Sequence, residues 1–161
     1  MNEKEMLREA LEIGFHSAAF IDTEELVIVP EYRRYCEMNL CHMYDANPAC
    51  PPQSGTVEEM TERVRSFKRA LILQTECESD FADDPQGAIL AKKKHNELAD
   101  RLIERLEKDR IFDCLRMSAG PWKKYSCMSA YCVDAQKMAD AAGMLCWARD
   151  GKSRFFSLLL M

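Results

Sequence analysis

The chain has 161 residues, of which 47% are hydrophobic and 30% are charged. This length allows one domain with its own core, and the composition excludes a disordered chain. The formal net charge of -5 argues against nucleic acid or an anionic membrane as the main partner.

The N-terminal segment has the pattern of an amphipathic helix. Asn2 and Glu5 are spaced as a capping box, and Gly14 is placed to end the helix. The segment is acidic and lacks the basic flank and the apolar block of a signal peptide. No apolar run in the chain approaches the roughly 20 residues that span a bilayer. We therefore expect a cytoplasmic protein.

The next elements are two short strands, a helix and a third strand. β-rich runs predict strands over 17–21 and 26–29. A second capping box, Thr56 with Glu59, predicts the start of a helix. The continuous apolar run over 70–73 indicates a strand that is buried on both faces.

The second half of the chain continues this alternation. The longest helix is expected over 88–108, followed by a strand over 111–117 and a capped helix over 135–142. The Asp-Gly pair near the end predicts a hairpin between strands over 144–148 and 154–161. The whole pattern predicts a single α/β domain over residues 1–161, with α+β as the alternative, in which helices flank a small mixed sheet.

A cysteine-rich segment runs from Arg33 to Pro52. Its three cysteines have the spacing Cys-x4-Cys-x8-Cys and are Cys36, Cys41 and Cys50. The segment is too polar and too rich in turn-forming residues to be a buried helix or strand, so we expect a loop with a fixed path. Because the cytoplasm disfavours disulfides, a loop that clusters thiols most simply holds a soft metal ion.

A second cysteine loop follows Gly120 and Pro121 and carries Cys127 and Cys132. Cys50 and Cys132 each precede a predicted helix N-terminus, whose partial positive charge favours a thiolate. If neighbouring strands place both loops at one edge of the sheet, all five thiols converge. We expect a four-thiolate metal site formed by Cys36, Cys41, Cys50 and either Cys127 or Cys132.

The identity of the metal is a separate question, since all-thiolate coordination suits both zinc and iron–sulfur clusters. The chain lacks the Cys-x2-Cys pair that is common in structural zinc sites, and a proline follows Cys50. These features favour an iron–sulfur cluster, most simply [4Fe–4S], with zinc as the alternative.

Each metal implies a different function. A cluster would make the protein a small electron carrier or an accessory to a redox enzyme, with an unknown redox protein or enzyme as its partner. Zinc would make it a structural or interaction module without redox activity. A third, metal-free hypothesis is a redox sensor in which Cys127 and Cys132 oxidise together. Too few acid–base groups lie near the cysteines in the sequence to name a catalytic residue.

The remaining cysteines and one histidine have structural interpretations. Cys114 and Cys146 lie in strand-like runs and are expected in the core, and Cys77 at a strand end is expected to be unrelated to the site. His95 falls on the apolar face of the longest helix, which indicates a hydrogen-bonded core histidine. The C-terminal run FFSLLLM, if it is an exposed edge, would pair with a second copy to form a homodimer.

The first cysteine segment also resembles a known family. Arg34, Cys36, Cys41, Tyr44 and Cys50-Pro51-Pro52 are similar to the pattern of an uncharacterised prokaryotic family described as a predicted metal-binding protein of unknown function. The resemblance continues past Glu58 and Glu59, through the helix with His95, to Ala119-Gly120-Pro121. It implies metal or cluster binding and supplies no reaction.

The second cysteine loop departs from the pattern of that family. Its members tend to have a denser run of cysteines after the Ala-Gly-Pro step and an Arg-His-Pro stretch after the last cysteine. Here Trp122 stands in place of a cysteine, and Val133-Asp134-Ala135 follows Cys132. The departure leaves two interpretations open. Either this chain has lost metal ligands, or it holds one metal centre where its relatives hold more than one.

Overall fold

The computed structural model describes residues 1–111 and 113–161, and these residues form one four-stranded sheet. The strands are β1 (Ser17–Asp22), β2 (Arg69–Cys77), β3 (Leu115–Met117) and β4 (Ser153–Leu160). Their order in the sheet is β1-β2-β4-β3. The pairings of β1 with β2, β2 with β4 and β3 with β4 are all antiparallel.

Local sequence signals place the helices of this fold. The α-helices are α1 (Glu3–Ile13), α2 (Arg33–Glu37), α3 (Val57–Arg65), α4 (Pro85–Lys108) and α5 (Ala135–Ala142). Both predicted capping boxes form, at the starts of α1 and α3. The Asp134 side chain accepts a hydrogen bond at the start of α5, and Gly143 ends that helix with a φ of 70°, which glycine adopts without strain.

The sheet is covered by helices on both faces. α1 and α4 pack on one face, against β2 residues such as Leu71 and Leu73. α3, α5 and the second cysteine loop pack on the other face, where Ile72 and Leu158 lie opposite each other in neighbouring strands. β2 is therefore buried on both faces, as its apolar run predicts. None of the helices in the described ranges has the length and apolar character needed to cross a membrane.

The predicted α/β fold class is confirmed, but the sheet is antiparallel where the sequence predicts a mixed one. The long helix α4 does connect two strands of the same direction, β2 and β3. These two strands are not neighbours, because β4 lies between them and pairs antiparallel with both. The result is a split β-α-β arrangement.

The predicted C-terminal hairpin is wrong. The structure describes residues 144–148 and they form no strand, and Trp147 is 80% exposed. β4 pairs instead with β2 along its whole length and with β3 at residues 158–160. Residues 155–160 of this strand are buried, whereas the homodimer was predicted only for an exposed edge, and the homodimer itself stays a prediction.

Two other predicted strands are shorter than expected. The run over 26–29 contributes only one isolated bridge, between Ile28 and Val133. The strand expected over 111–117 begins at Leu115 in the structure, and Phe112 lies outside the described residues.

His95 of α4 is a buried, hydrogen-bonded core residue, as predicted. Its Nδ1 lies 2.7 Å from the Thr75 hydroxyl oxygen, and its Nε2 lies 2.7 Å from the Ser157 hydroxyl oxygen. Burial, and then the charge of Arg116, lower the pKa of His95 to about 3. The folded protein therefore holds this imidazole in its neutral form.

This histidine should make the stability depend on pH. Between pH 7 and pH 5 the unfolded chain binds a proton at His95, near the usual pKa of 6.5, and the folded chain does not. The free energy of unfolding should consequently fall by about 2 kcal/mol at pH 5 through this residue alone. Urea unfolding at both pH values would show a smaller fall for His95→Gln than for the wild type. A fall in His95→Gln as large as that of the wild type would contradict this account.

Candidate metal centre

A short antiparallel pairing joins the segment before the first cysteine loop to the end of the second. The Val29 N–H donates to the Cys132 carbonyl at 2.8 Å, and the Asp134 N–H donates to the Val27 carbonyl at 2.8 Å. The bridge between Ile28 and Val133 lies between these two bonds. The two cysteine loops, which are far apart in sequence, are thereby held next to each other.

Arg33 makes a second connection between the loops. It begins α2, one helical turn before Cys36, and is half-buried. Its guanidinium donates to the Gly55 carbonyl at 2.9 Å and to the Ala130 carbonyl at 3.2 Å. One side chain thus links the end of the first loop region to the second loop.

The first cysteine loop turns back on itself several times. Asn39, His42 and Asp45 have φ values of 54°, 60° and 55°, in the left-handed region that tight turns use. The Asn39 side chain accepts from the Tyr44 N–H at 3.0 Å, and the Asp45 N–H donates to the Pro51 carbonyl at 2.9 Å. The segment is therefore a loop of defined path, as predicted, except that Cys36 lies in the short helix α2.

The helix α4 fixes the start of the second loop. The Asn96 side chain donates to the Ala119 carbonyl at 2.8 Å and accepts from the Ala119 N–H at 3.1 Å. The Asp100 carboxylate accepts from the Trp122 indole at 3.1 Å and from Lys123 at 2.8 Å. Trp122, which stands where relatives are expected to carry a cysteine, is thus a structural anchor here.

The five predicted ligands differ in exposure, and thiols of the two loops affect one another's pKa. Cys50 and Cys132 are buried, Cys36 and Cys127 are half-buried, and Cys41 is exposed. Burial, and then the neighbouring Cys127, raise the pKa of Cys36 to about 11, while Arg33 opposes the rise and Cys132 and Cys41 add to it. Burial raises the pKa of Cys50, and Cys127 and Cys41 add to that rise. Thiols from both loops therefore lie close enough to influence one another.

The route by which the loops meet differs from the expected one. The sequence predicts a meeting at one edge of the sheet, at the strand ends. In the structure Cys127 packs against the core cluster that lies between the sheet and helices α3 and α5. The loops meet over a face of the sheet because the 27–29 and 132–134 segments pair above it.

Hydrogen-bond donors surround the thiols of the second loop. Burial raises the pKa of Cys127, and the backbone N–H groups of Ala130 and Ser129 oppose the rise. Burial also raises the pKa of Cys132, and the charge and hydrogen bonds of Arg33 oppose it. Donors and a cation around sulfur are the surroundings that stabilise metal-bound thiolates.

The two loops also share a local feature. Cys36–Cys41 and Cys127–Cys132 have the same x4 spacing, and the carbonyl of each leading cysteine accepts from the N–H three residues on. The backbone of Cys132 has a φ of 58°, in the left-handed region that residues other than glycine rarely adopt.

The donor chemistry fits a thiolate-bound metal, although the side chains are not grouped as ligands. Within residues 1–111 and 113–161, no three His, Cys, Asp or Glu side chains are arranged to hold a metal ion. Ligation would therefore draw the thiols closer together than they stand, and the exposed Cys41 has the room to move.

The other cysteines lie outside this neighbourhood of thiols. Cys77 ends β2, and its sulfur accepts from the Ser79 N–H at 3.4 Å. The sequence predicts both Cys114 and Cys146 as core residues in strands, but both are half-buried and lie outside the strands. Cys146 nevertheless packs against the core cluster between the sheet and helices α3 and α5. The difference arises because β3 begins at Leu115 and residues 144–148 find no strand partner.

Fold and site together define a small α/β protein with two cysteine-bearing loops on one face of an antiparallel sheet. The chain belongs to the family described as "Predicted metal-binding protein (DUF2284)", whose model matches residues 19–124, more than half of the chain. The match includes Cys36, Cys41 and Cys50 and ends before Cys127 and Cys132. No curated protein and no solved structure matches the chain.

The role of Arg33 can be tested by its removal. Arg33→Ala loses two hydrogen bonds from a charged donor, so the free energy of unfolding should fall by about 2–3 kcal/mol. The matched control is Arg34→Ala, at an exposed position where the guanidinium lies 5.2 Å from the Tyr35 ring. The control should change the stability by less than about 0.5 kcal/mol. Equal effects of the two variants in urea unfolding would show that Arg33 does not link the loops.

Proposed function

We propose that this protein binds an iron–sulfur cluster through cysteines of its two loops and acts as a small electron carrier or as an accessory to a redox enzyme. The chain belongs to a family of predicted metal-binding proteins. The proposal is supported by one observation, which is that the backbone pairing of residues 27–29 with residues 132–134 brings the two cysteine loops next to each other.

The proposed ligands are Cys36, Cys41 and Cys50 together with one of Cys127 and Cys132. When bound, such a cluster would exchange single electrons. Four thiolates concentrate negative charge, and the Arg33 guanidinium beside Cys36 and Cys132 would offset part of it. The Ser129 and Ala130 N–H groups would donate to the Cys127 sulfur. These groups of the chain would favour the thiolate form against the effect of burial.

An exposed apolar surface beside Cys41 supports a protein partner. Large hydrophobic side chains surround this cysteine in the sequence and are exposed in the structure: Tyr35, Met38, Leu40 and Met43. Leu40, next to Cys41, is 76% exposed. Clustered exposed apolar side chains are typical of surfaces that bind other proteins. We propose that a redox protein or enzyme docks on this surface.

The metal is tested by anaerobic purification followed by metal analysis and absorbance spectroscopy. The cluster hypothesis predicts a brown, iron-containing protein with broad absorbance at about 400 nm. Colourless, iron-free protein would exclude the cluster. Stoichiometric zinc, with loss of stability on chelation, would support the alternative of a zinc-stabilised interaction module.

The ligands are tested by substitution in the same preparation. Cys41→Ser and Cys50→Ser should each abolish most of the bound metal, because a serine hydroxyl is a much poorer ligand than a thiolate. Cys77→Ser is the matched control, outside the proposed ligand set, and should retain the wild-type metal content. Circular dichroism checks that each variant is folded. Wild-type metal content in folded Cys41→Ser and Cys50→Ser would refute the ligand assignment.

A further inference from the structure

A cavity of about 680 Å³ lies beside the second cysteine loop. Cys127 and Met128 form part of its wall, and β4 residues such as Phe155 form another part. This volume falls within the range of small-molecule binding sites.

The cavity wall is rich in aromatic side chains. Phe81 and Phe155 meet edge to face, with ring centroids 6.2 Å apart. Phe81 is half exposed, and Trp147 is 80% exposed although it lines the same cavity. Large aromatic surfaces left in water favour a flat apolar ligand that would cover them.

Charged side chains of both signs line the cavity, with Asp80 and Asp150 as carboxylates and cations in the majority. Four cationic side chains line it, and they are Lys92, Arg149, Lys152 and Arg154. Two of these cations are neutralised locally, since Arg154 pairs with Asp150 and Glu76, and Lys152 pairs with Glu76 and Glu78.

Lys92 supplies an unmatched positive charge in this wall. In the part of the chain that the structure describes, its ammonium group makes no ion pair and no side-chain hydrogen bond. The ammonium lies against Gly120, where an added Cβ would be 3.4 Å from Lys92 Nζ. Arg149 also lines the cavity outside the ion pairs of the described residues, but it is exposed, whereas Lys92 is half-buried and its charge is less screened by solvent. A half-buried cation beside an aromatic surface complements a ligand with one negative charge.

We propose that this cavity binds an aromatic carboxylic acid, with its rings against Phe81 and Phe155 and its carboxylate on Lys92. The inference goes beyond the proposed metal function, since neither the aromatic wall nor Lys92 belongs to the ligand set. Because Cys127 lies in the wall, the bound acid would be adjacent to the second cysteine loop. The acid is then a candidate small-molecule substrate or effector of this protein.

The test is isothermal titration calorimetry of the purified, metal-containing protein with 2-naphthoate and with its uncharged analogue 2-naphthamide. The carboxylate should bind at least about tenfold more tightly than the amide, which corresponds to one charge-assisted contact. Lys92→Gln should weaken 2-naphthoate binding to the level of the amide. The matched control is Lys94→Gln, two residues further along α4 at an exposed position, and it should bind as the wild type does.

Three results would overturn the proposal: no binding of 2-naphthoate, equal affinities for acid and amide, or wild-type affinity in Lys92→Gln. The metal content of both lysine variants should equal that of the wild type. A loss of ligand binding at constant metal content is therefore distinct from a failure of the metal hypothesis. If the protein proves to bind no metal, the titrations still decide whether the cavity takes the acid.

Discussion

The pairing of residues 27–29 with residues 132–134 is the contact on which the candidate centre depends. Two backbone hydrogen bonds of 2.8 Å bring together segments about a hundred residues apart, one leading into the first cysteine loop and the other ending the second. The entropy lost in closing so long a loop is offset by burial, because Leu26 and Val133 join the core cluster on that face of the sheet. Core packing therefore holds the loops together independently of any ligand.

The helix α4 links this site to the rest of the molecule. Its residue His95 is fixed in the core between two hydroxyl groups, while Asn96 and Asp100 hold the start of the second cysteine loop. One turn before Asn96, Lys92 lies in the wall of the adjacent cavity. Because one rigid helix carries all these contacts, the core, the loop and the cavity have a fixed relation to one another.

Three residues in and just after the second cysteine loop have structural functions in this chain. Trp122 donates to Asp100, Val133 pairs with Ile28, and Asp134 caps α5. The family match itself ends before Cys127. The second loop thus carries structural anchors as well as its two thiols.

The sequence by itself determined the helices α1, α3, α4 and α5, their caps and the two cysteine-bearing segments, because these features depend on contacts between residues a few positions apart. Asn2, Thr56 and Asp134 each cap a helix by accepting a hydrogen bond from the backbone N–H three residues further on. Only the tertiary structure decided the strand partners: the run MLCWA is locally as strand-like as FFSLLLM, yet it is FFSLLLM that pairs with β2 and β3, while residues 144–148 form no strand. The same holds for Arg33 and Lys92, since a charged side chain acquires its role from groups distant in sequence. Ladder register and the pairing of residues 27–29 with residues 132–134 join positions far apart in sequence, and no local pattern encodes those distances.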